Sequence, residues 1–346
     1  MIIINTGLKS TFVYRDFKLI RELTEDSMLF TGFSKGLLFG SLSQLILLVK
    51  YINKDVTWIH QSSGHVSLLP CTVGKTFGHK NIIIAIGTDS ACFPEIDYGN
   101  HRKWSTRVST KASFSGADLI CPVDETIVQY DYTYWDVQYA RQGILAFYPD
   151  LKTPFFPIEN GYIQKNWGVD KEPETRSVDV LSVFAIGNSN RSVLKGADLI
   201  LAIAARRPEL RFRIIGRVLK GAIVPSNCEV LDNCTQNQLR AHFNESKIFI
   251  QASITEGFPN SLCEAMACGC FPIGSAVSSI PKIISDFGFV LEKRNDLELE
   301  VLIIKGLRLI NEKKTNAHEI SKSIFSRFSM DRRKRKLAEA IRLVSM

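Results

Sequence analysis

The stretch Ser253-Ile254-Thr255-Glu256-Gly257-Phe258-Pro259-Asn260-Ser261-Leu262-Cys263-Glu264-Ala265-Met266-Ala267-Cys268-Gly269-Cys270 decides how the rest of the chain is read. An apolar run, Lys247–Gln251, ends just before it and predicts a strand. Gly257 and Pro259 force a turn, Asn260 or Ser261 is suited to cap a helix over Ser261–Ala267, and Gly269 to end it. A strand, a tight loop and a helix N-terminus form a site for anions, because free N–H groups and the helix dipole point out of the turn. Pro259 divides the two glutamates. This predicts Glu256 in the loop and Glu264 in the first helical turn, acting separately rather than as a paired acid and base.

The same alternation extends outward on both sides and predicts parallel α/β architecture. In the second half, strands are expected at Val178–Ile186, Arg211–Ile215, Glu229–Leu231, Lys247–Gln251, Phe271–Gly274 and Gly288–Leu291. Helices are expected there at Lys195–Ala205, Gln236–Asn244, Ser261–Ala267 and Asp296–Asn311. In the first half, strands are expected at Met1–Asn5, Ser27–Phe30, Val56–His60, Asn81–Gly87, Asp118–Val123 and Pro154–Ile158. Helical patterns cover Thr11–Leu23, Lys35–Tyr51 and Glu125–Trp135. The apolar signal stops around Gln164–Val178, where polar residues from Asn166 to Glu174 take over, and by composition this is a linker. The expected organisation is a first domain over 1–165, a linker over 166–177, a second domain over 178–325 and a basic helix over 326–346 that crosses back to the first domain.

The 346 residues are 45% apolar and 23% charged, which excludes disordered and fibrous classes and suffices for two cores. Eight scattered cysteines do not make a disulfide framework. The N-terminus reads as a strand without a secretory pattern, so a cytoplasmic setting is expected. Gly36–Val49 is uncharged over 14 residues, short of the roughly 20 needed to cross a bilayer, and is expected to be a buried helix. Much of the net charge of +8 comes from the tail, where Arg332, Arg333, Lys334, Arg335 and Lys336 cluster. The cluster suits a solvated face, with contact to an anionic membrane surface as the alternative; nucleic acid is not an expected partner. Val73-Gly74-Lys75-Thr76 lacks the upstream glycine of a phosphate-binding loop, and neither Gly-x-Gly-x-x-Gly nor Gly-x-Ser-x-Gly occurs. Cys263, Cys268 and Cys270 lack zinc-site spacing.

Glu256-x7-Glu264, set in Glu-Gly-Phe-Pro-Asn…Glu-Ala-Met-Ala-Cys-Gly, resembles the signature of the retaining glycosyltransferases of family 4. Further matches are Gly187 with Arg191-Ser-Val-Leu-Lys195-Gly196-Ala-Asp198, and Phe212-Arg-Ile-Ile-Gly216. The resemblance is clear over Val178–Val290 and diffuse in the first half, where Phe12–Asp16 and Ile158–Gly161 carry it. It implies the GT-B fold, two Rossmann-like domains facing each other across a cleft. It also implies transfer of a sugar from a nucleoside diphosphate to a hydroxyl of a glycan or lipid-linked acceptor, as in cell-envelope polysaccharide synthesis. Glu264 would take the ribose hydroxyls, and Glu256 would meet the donor sugar. N–H groups of Gly257, Phe258, Asn260, Ser261 and Leu262, in the loop with Pro259, would hold sugar and phosphate oxygens. Lys195 and Arg191 would neutralise the leaving diphosphate. Gly216 would lie beside the base, and Gly7 would let backbone approach the phosphates or simply make a turn.

The sequence also departs from that pattern. Arg191 stands four positions after Gly187 instead of directly after it, which leaves a solvated loop residue as its alternative. Asp89 occupies the place where many members carry a histidine, and is read either as a substitute contact to sugar or as a turn former. His60 and His65 follow a strand and are acceptor-side candidates or packing residues. Neither Asp-x-Asp nor a cofactor motif is present, so no metal and no cofactor is expected. An inverting transferase, a sugar-nucleotide epimerase or a non-catalytic binding protein remain the alternatives. The first two would need a general base or acid in the first domain, for which His60 or Asp89 would serve.

Overall fold

The computed structural model describes residues 1–7, 11–184, 190–218, 221–232 and 234–345, with the backbone alone at Thr11, Asn190 and Arg191. The chain divides into two compact units. The first comprises Met1–Asp131, Gln138–Glu159 and Asp331–Met346; the second comprises Tyr132–Val137 and Asn160–Met330.

In the first unit β1 (Ile2–Asn5), β2 (Ser27–Phe30), β3 (Thr57–Gln61), β4 (Lys80–Ala85) and β5 (Leu119–Pro122) form a parallel sheet in the order β2-β1-β3-β4-β5. A two-stranded ribbon, β6 (Tyr130–Asp131) with β7 (Arg141–Gln142), stands apart from it. Helices α1 (Thr11–Arg21), α2 (Leu37–Lys50), α3 (Trp104–Gly116) and α4 (Ile144–Phe147) join these elements. Ile3, Ile4, Trp58 and Ile82–Ile84 are buried, as a sheet covered on both faces requires.

Three expectations fail here. Glu125–Trp135 is not a helix: a short 3₁₀ turn capped by the Asp124 carboxylate covers Glu125–Ile127 and leads into β6. Pro154–Ile158 lies along β5 with main-chain bonds to Ile120 and Pro122, but is not a regular strand. Pro154 and Pro157 supply no N–H for a ladder. The helix over Leu37–Lys50 is not buried, since its inward residues are Gly40, Gln44 and Leu48 while Leu38, Leu42, Leu45, Ile46 and Val49 are exposed.

The last helix, α12 (Met330–Ser345), falls almost wholly in the first unit. Leu337, Ala340 and Val344 form its buried stripe. The basic cluster is not a free cationic face. Arg333 is 2% exposed. It donates to both carboxylate oxygens of Asp16 at 2.6 and 2.5 Å and to the carbonyls of Ile158 and Glu159. Lys336 pairs with Glu159 at 2.7 Å and Lys334 with Glu22 at 2.6 Å, and Arg332 lies 3.7 Å from Glu159. The cations are thus largely used inside the unit, which removes the grounds for reading the tail as a membrane contact. Deleting one partner strands a buried charge. Asp16→Ala should therefore lower stability by about 3–5 kcal/mol in urea unfolding, against a change within about 0.5 kcal/mol for exposed Arg335→Ala. Equal effects of the two would show that the pair does not hold the helix.

The second unit is a six-stranded parallel sheet in the order β10-β9-β8-β11-β12-β13. Its strands are β8 (Val178–Val183), β9 (Phe212–Ile215), β10 (Cys228–Leu231), β11 (Ser246–Gln251), β12 (Phe271–Ser275) and β13 (Phe289–Leu291). The helices are α5 (Asn190–Leu194), α6 (Ala197–Arg206), α7 (Gln236–Glu245), α8 (Asn260–Ala267), α9 (Ile280–Ile284), α10 (Asp296–Asn311) and α11 (Ala317–Arg327). Side-chain caps at Thr235, Asn295 and Asn316 start α7, α10 and α11.

The segment 166–177 is not a free linker. Trp167 is buried and its ring tilts against Phe243 at 5.8 Å. Buried Arg176 donates to the carbonyls of Lys171, Ser246 and Cys268. Two large side chains dock a segment that is polar in composition.

Candidate active site

The second unit brings together the loops after β8 and β11. The Ile254 N–H donates to the Leu194 carbonyl at 2.7 Å, tying the two loops at the level of Lys195. Gly196 follows with φ +78°, and a Cβ there would stand 2.5 Å from the Ala252 carbonyl oxygen, so glycine is required. Lys195 is held between α5 and α6, where its ammonium forms an ion pair with the Glu256 carboxylate.

The same Glu256 oxygen, Oε1, accepts from Gln251 Nε2 at 2.8 Å and Ser253 Oγ at 2.7 Å. Ser253 is itself bonded by Gln251, and its carbonyl accepts from Ser275 Oγ at 2.7 Å. The Ser278 hydroxyl donates to the Glu256 carbonyl at 2.6 Å. Glu256 is thus fixed by three side chains and by its own backbone, while it and Lys195 stay partly exposed. Such an arrangement holds a carboxylate and a cation in one place, ready to divide their charge with a polar anionic ligand. Sequence reading missed Gln251, Ser253 and Ser278. The polar ending of an otherwise apolar strand, Gln251 and Ser253, was the available signal.

The Glu256 loop leads into α8, with Pro259 as the capping residue and no side-chain cap. Neither expected cap is used: the Asn260 side-chain oxygen accepts instead from Asn160 Nδ2 at 2.9 Å and Tyr162 Oη at 2.8 Å, and Ser261 is already the second residue of the helix. Glu264 is the fifth residue of α8, so it lies in the second turn rather than the first. It is partly exposed. The N–H groups of Asn260 and Leu262 already donate to the carbonyls of Phe258 and Pro259 and are not spare donors for a ligand. Gly257 is buried, Ser261 is partly buried, and Leu262 lies in the core. Phe258 packs edge-on to Phe328 at 5.5 Å, which stiffens the loop. Gly216 ends β9 with φ +129°, where a Cβ would stand 2.5 Å from the Phe184 carbonyl oxygen. Arg191 lies in α5, but its side chain is outside the described residues, as is Gly187.

The first-unit candidates fare differently. His60 is fully buried and stacked on Trp58. Its Nδ1 accepts from Asn5 at 2.8 Å and its Nε2 donates to Asn81 at 3.1 Å. Burial lowers its pKa to about 4, so it is a neutral core residue. Asp89 is also buried, and it accepts from the N–H groups of Ser63, Ile86 and Gly87 at 3.0 to 3.2 Å. Burial raises its pKa while those donors oppose the rise. It is the turn former of the two readings, not a contact for sugar. With both residues enclosed, neither serves as the general base that an inverting transferase or an epimerase would need. His65 is partly exposed in the loop after β3. Gly7 follows β1, and a Cβ there would lie 3.1 Å from Val66.

The His60 burial has a pH signature. Its folded pKa, about 4, lies below the unfolded 6.5, so the unfolded chain binds the proton first and stability falls as pH drops through this window. Between pH 7 and 5 the loss from this group is about 2 kcal/mol. The fall in urea stability over that range should be smaller by this amount in His60→Gln than in the natural chain. Equal slopes would contradict a neutral buried imidazole.

Residues 182–323 match the family described as "Glycosyl transferases group 1". The chain is 26% identical over 200 residues to the phosphatidylinositol N-acetylglucosaminyltransferase gpi3 subunit of Schizosaccharomyces pombe, covering 53% of this chain and 43% of that one. It is 22% identical over 147 residues to a phosphatidylinositol N-acetylglucosaminyltransferase subunit of Arabidopsis thaliana, covering 39% of this chain and 32% of that one. The matched segment thus spans less than half the length of these curated relatives. Among solved structures, Anabaena Alr3699/HepE in complex with UDP-glucose superposes with a TM-score of 0.72 at 14% identity, covering 99% of both chains. The lipopolysaccharide outer core galactosyltransferase WaaB gives 0.65 at 14% identity, again covering 99% of both. The fold is therefore GT-B, built from two Rossmann-like parallel α/β domains. The glycosyl transferases group 1 segment coincides with the unit that carries Lys195 and Glu256.

Proposed function

We propose that the chain is a retaining glycosyltransferase of the family 4 type. It would move a sugar from a nucleoside diphosphate, uridine diphosphate in the first instance, to a hydroxyl of a glycan or lipid-linked acceptor. The Lys195–Glu256 pair carries this reading, since it lies within the glycosyl transferases group 1 segment and is held by loops at the carboxyl ends of two adjacent parallel strands.

In the mechanism proposed, Lys195 turns from Glu256 to the departing diphosphate and balances the charge that grows as the anomeric carbon–oxygen bond breaks. Arg191 is the second cation proposed for that anion. Glu256, held by Gln251 and Ser253, receives hydroxyls of the donor sugar, and Glu264 those of the ribose. The acceptor hydroxyl attacks from the face the phosphate leaves and gives its proton to the phosphate oxygen, so configuration is retained without a protein nucleophile. The names of the curated relatives favour an acceptor carrying a lipid, and cell-envelope glycan assembly at the cytoplasmic side is the proposed setting.

Incubation with a panel of nucleotide sugars should release nucleoside diphosphate from one of them. Absence of release across the panel, with acceptors supplied, would favour a binding protein. Lys195→Ala should lower kcat by about 10²–10³-fold with native circular dichroism, and activity within a few-fold of the natural chain would remove its role. Glu264→Ala should weaken nucleoside diphosphate binding by about 1–3 kcal/mol in calorimetry, and unchanged affinity would take the ribose from Glu264.

A further inference from the structure

Helix α2 of the first unit is inside out. Its inward side carries Gly40, Gln44 and Leu48. Gln44 donates to the Val66 carbonyl at 2.9 Å, and Gly40 fits under the Phe33 ring, where a Cβ would stand 2.4 Å away. The outward side is apolar along its whole length. Leu38, Leu42, Leu45 and Val49 follow at i, i+4, i+7 and i+11, flanked by Phe39 and Ile46. Leu38 is 87% exposed, Leu42 61%, Ile46 60% and Val49 60%. A helix that places a glutamine inward and an apolar face outward leaves that face for something other than water.

The surroundings select the occupant. From Ser27 to Lys54 the chain has three lysines, Lys35, Lys50 and Lys54, and no acidic residue. Lys35 and Lys50 lie at the two ends of the helix, their ammonium groups 5.0 and 5.1 Å from the rings of Phe39 and Tyr51. This places cations at the rim of an apolar stripe, as in helices that lie flat in a bilayer interface. Helix α3 packs, like α2, against the helical turn over Pro70–Gly74, and it carries Trp104, 80% exposed, with Lys103, Arg107 and Lys111 exposed around it. A tryptophan among cations suits the headgroup region. A two-fold contact with a second copy would instead bring the lysine ends of one antiparallel helix against those of the other. Among the described residues no helix is long and apolar enough to cross a membrane, and α2 has 14 residues.

We propose that α2 is a monotopic docking surface, which lies in the interface of a bilayer containing anionic lipid with Leu38, Leu42, Leu45, Ile46 and Val49 among the acyl chains and Lys35, Lys50 and Lys54 at the headgroups. The assignment does not depend on glycosyl transfer, because binding is read with no donor present. The test is flotation of the full chain with phosphatidylcholine vesicles, with and without phosphatidylglycerol. The natural chain should float with the mixed vesicles and less at high salt. The quadruple variant Leu38→Ser, Leu42→Ser, Ile46→Ser, Val49→Ser should keep its unfolding midpoint and lose at least about tenfold in vesicle affinity. Lys35→Gln, Lys50→Gln, Lys54→Gln should abolish the preference for phosphatidylglycerol. Failure of the natural chain to float, or equal flotation of the quadruple variant, would overturn the proposal. So would a dimer in sedimentation velocity that the quadruple variant disperses while flotation is absent, since that would assign the face to a second copy.

Discussion

The backbone at Gly196 runs against the backbone at Ala252 so closely that no Cβ fits between them, and the neighbouring Ile254–Leu194 hydrogen bond locks the contact. The candidate chemistry depends on this approach. It puts the end of the segment after β8 beside the end of β11, two strands adjacent in a parallel sheet. Lys195 then reaches a carboxylate that Gln251 and Ser253 already hold. Gln251 and Ser253 keep the Glu256 carboxylate in place whether or not Lys195 stays paired with it, so the carboxylate needs little reorganisation when Lys195 turns to a charged ligand, and preorganisation of this kind lowers barriers for charge-separating steps. The fold supplies the precision and the side chains supply the charge.

The first unit shows the same economy with buried polar groups. Asn5, His60 and Asn81 bond one another across β1, β3 and β4, and Asp16 with Arg333 joins α1 to the final helix. Each of these five side chains has a polar partner, which offsets part of the cost of burying it. That leaves few of them for chemistry, which agrees with the donor site proposed for the other unit.

Much of this was legible in the sequence. The strand runs of both sheets fell where apolar residues cluster, and Glu256 with Lys195 stood out from motif and spacing. What was hidden was hidden for physical reasons. The inward face of α3 uses Ser109, Thr110 and Ser113, so it shows no apolar stripe. Helix α2 is apolar nearly all round, and such a pattern does not say which side is covered; one inward glutamine and one glycine decide it. The tail looked like a free cationic patch because its partners, Asp16, Glu22 and Glu159, lie far away in the chain. The segment 166–177 looked like a tether because two docked side chains, Trp167 and Arg176, are outnumbered by polar neighbours.

The central claim, that the loops around Lys195 and Glu256 receive the diphosphate end of a nucleotide sugar, is tested most directly by hydrogen exchange of the full chain with and without uridine diphosphate. Exchange should slow in the amides of 190–198 and 253–269 and stay unchanged in the amides of the first-unit sheet. Protection confined to the first unit, with none at 253–269, would contradict it.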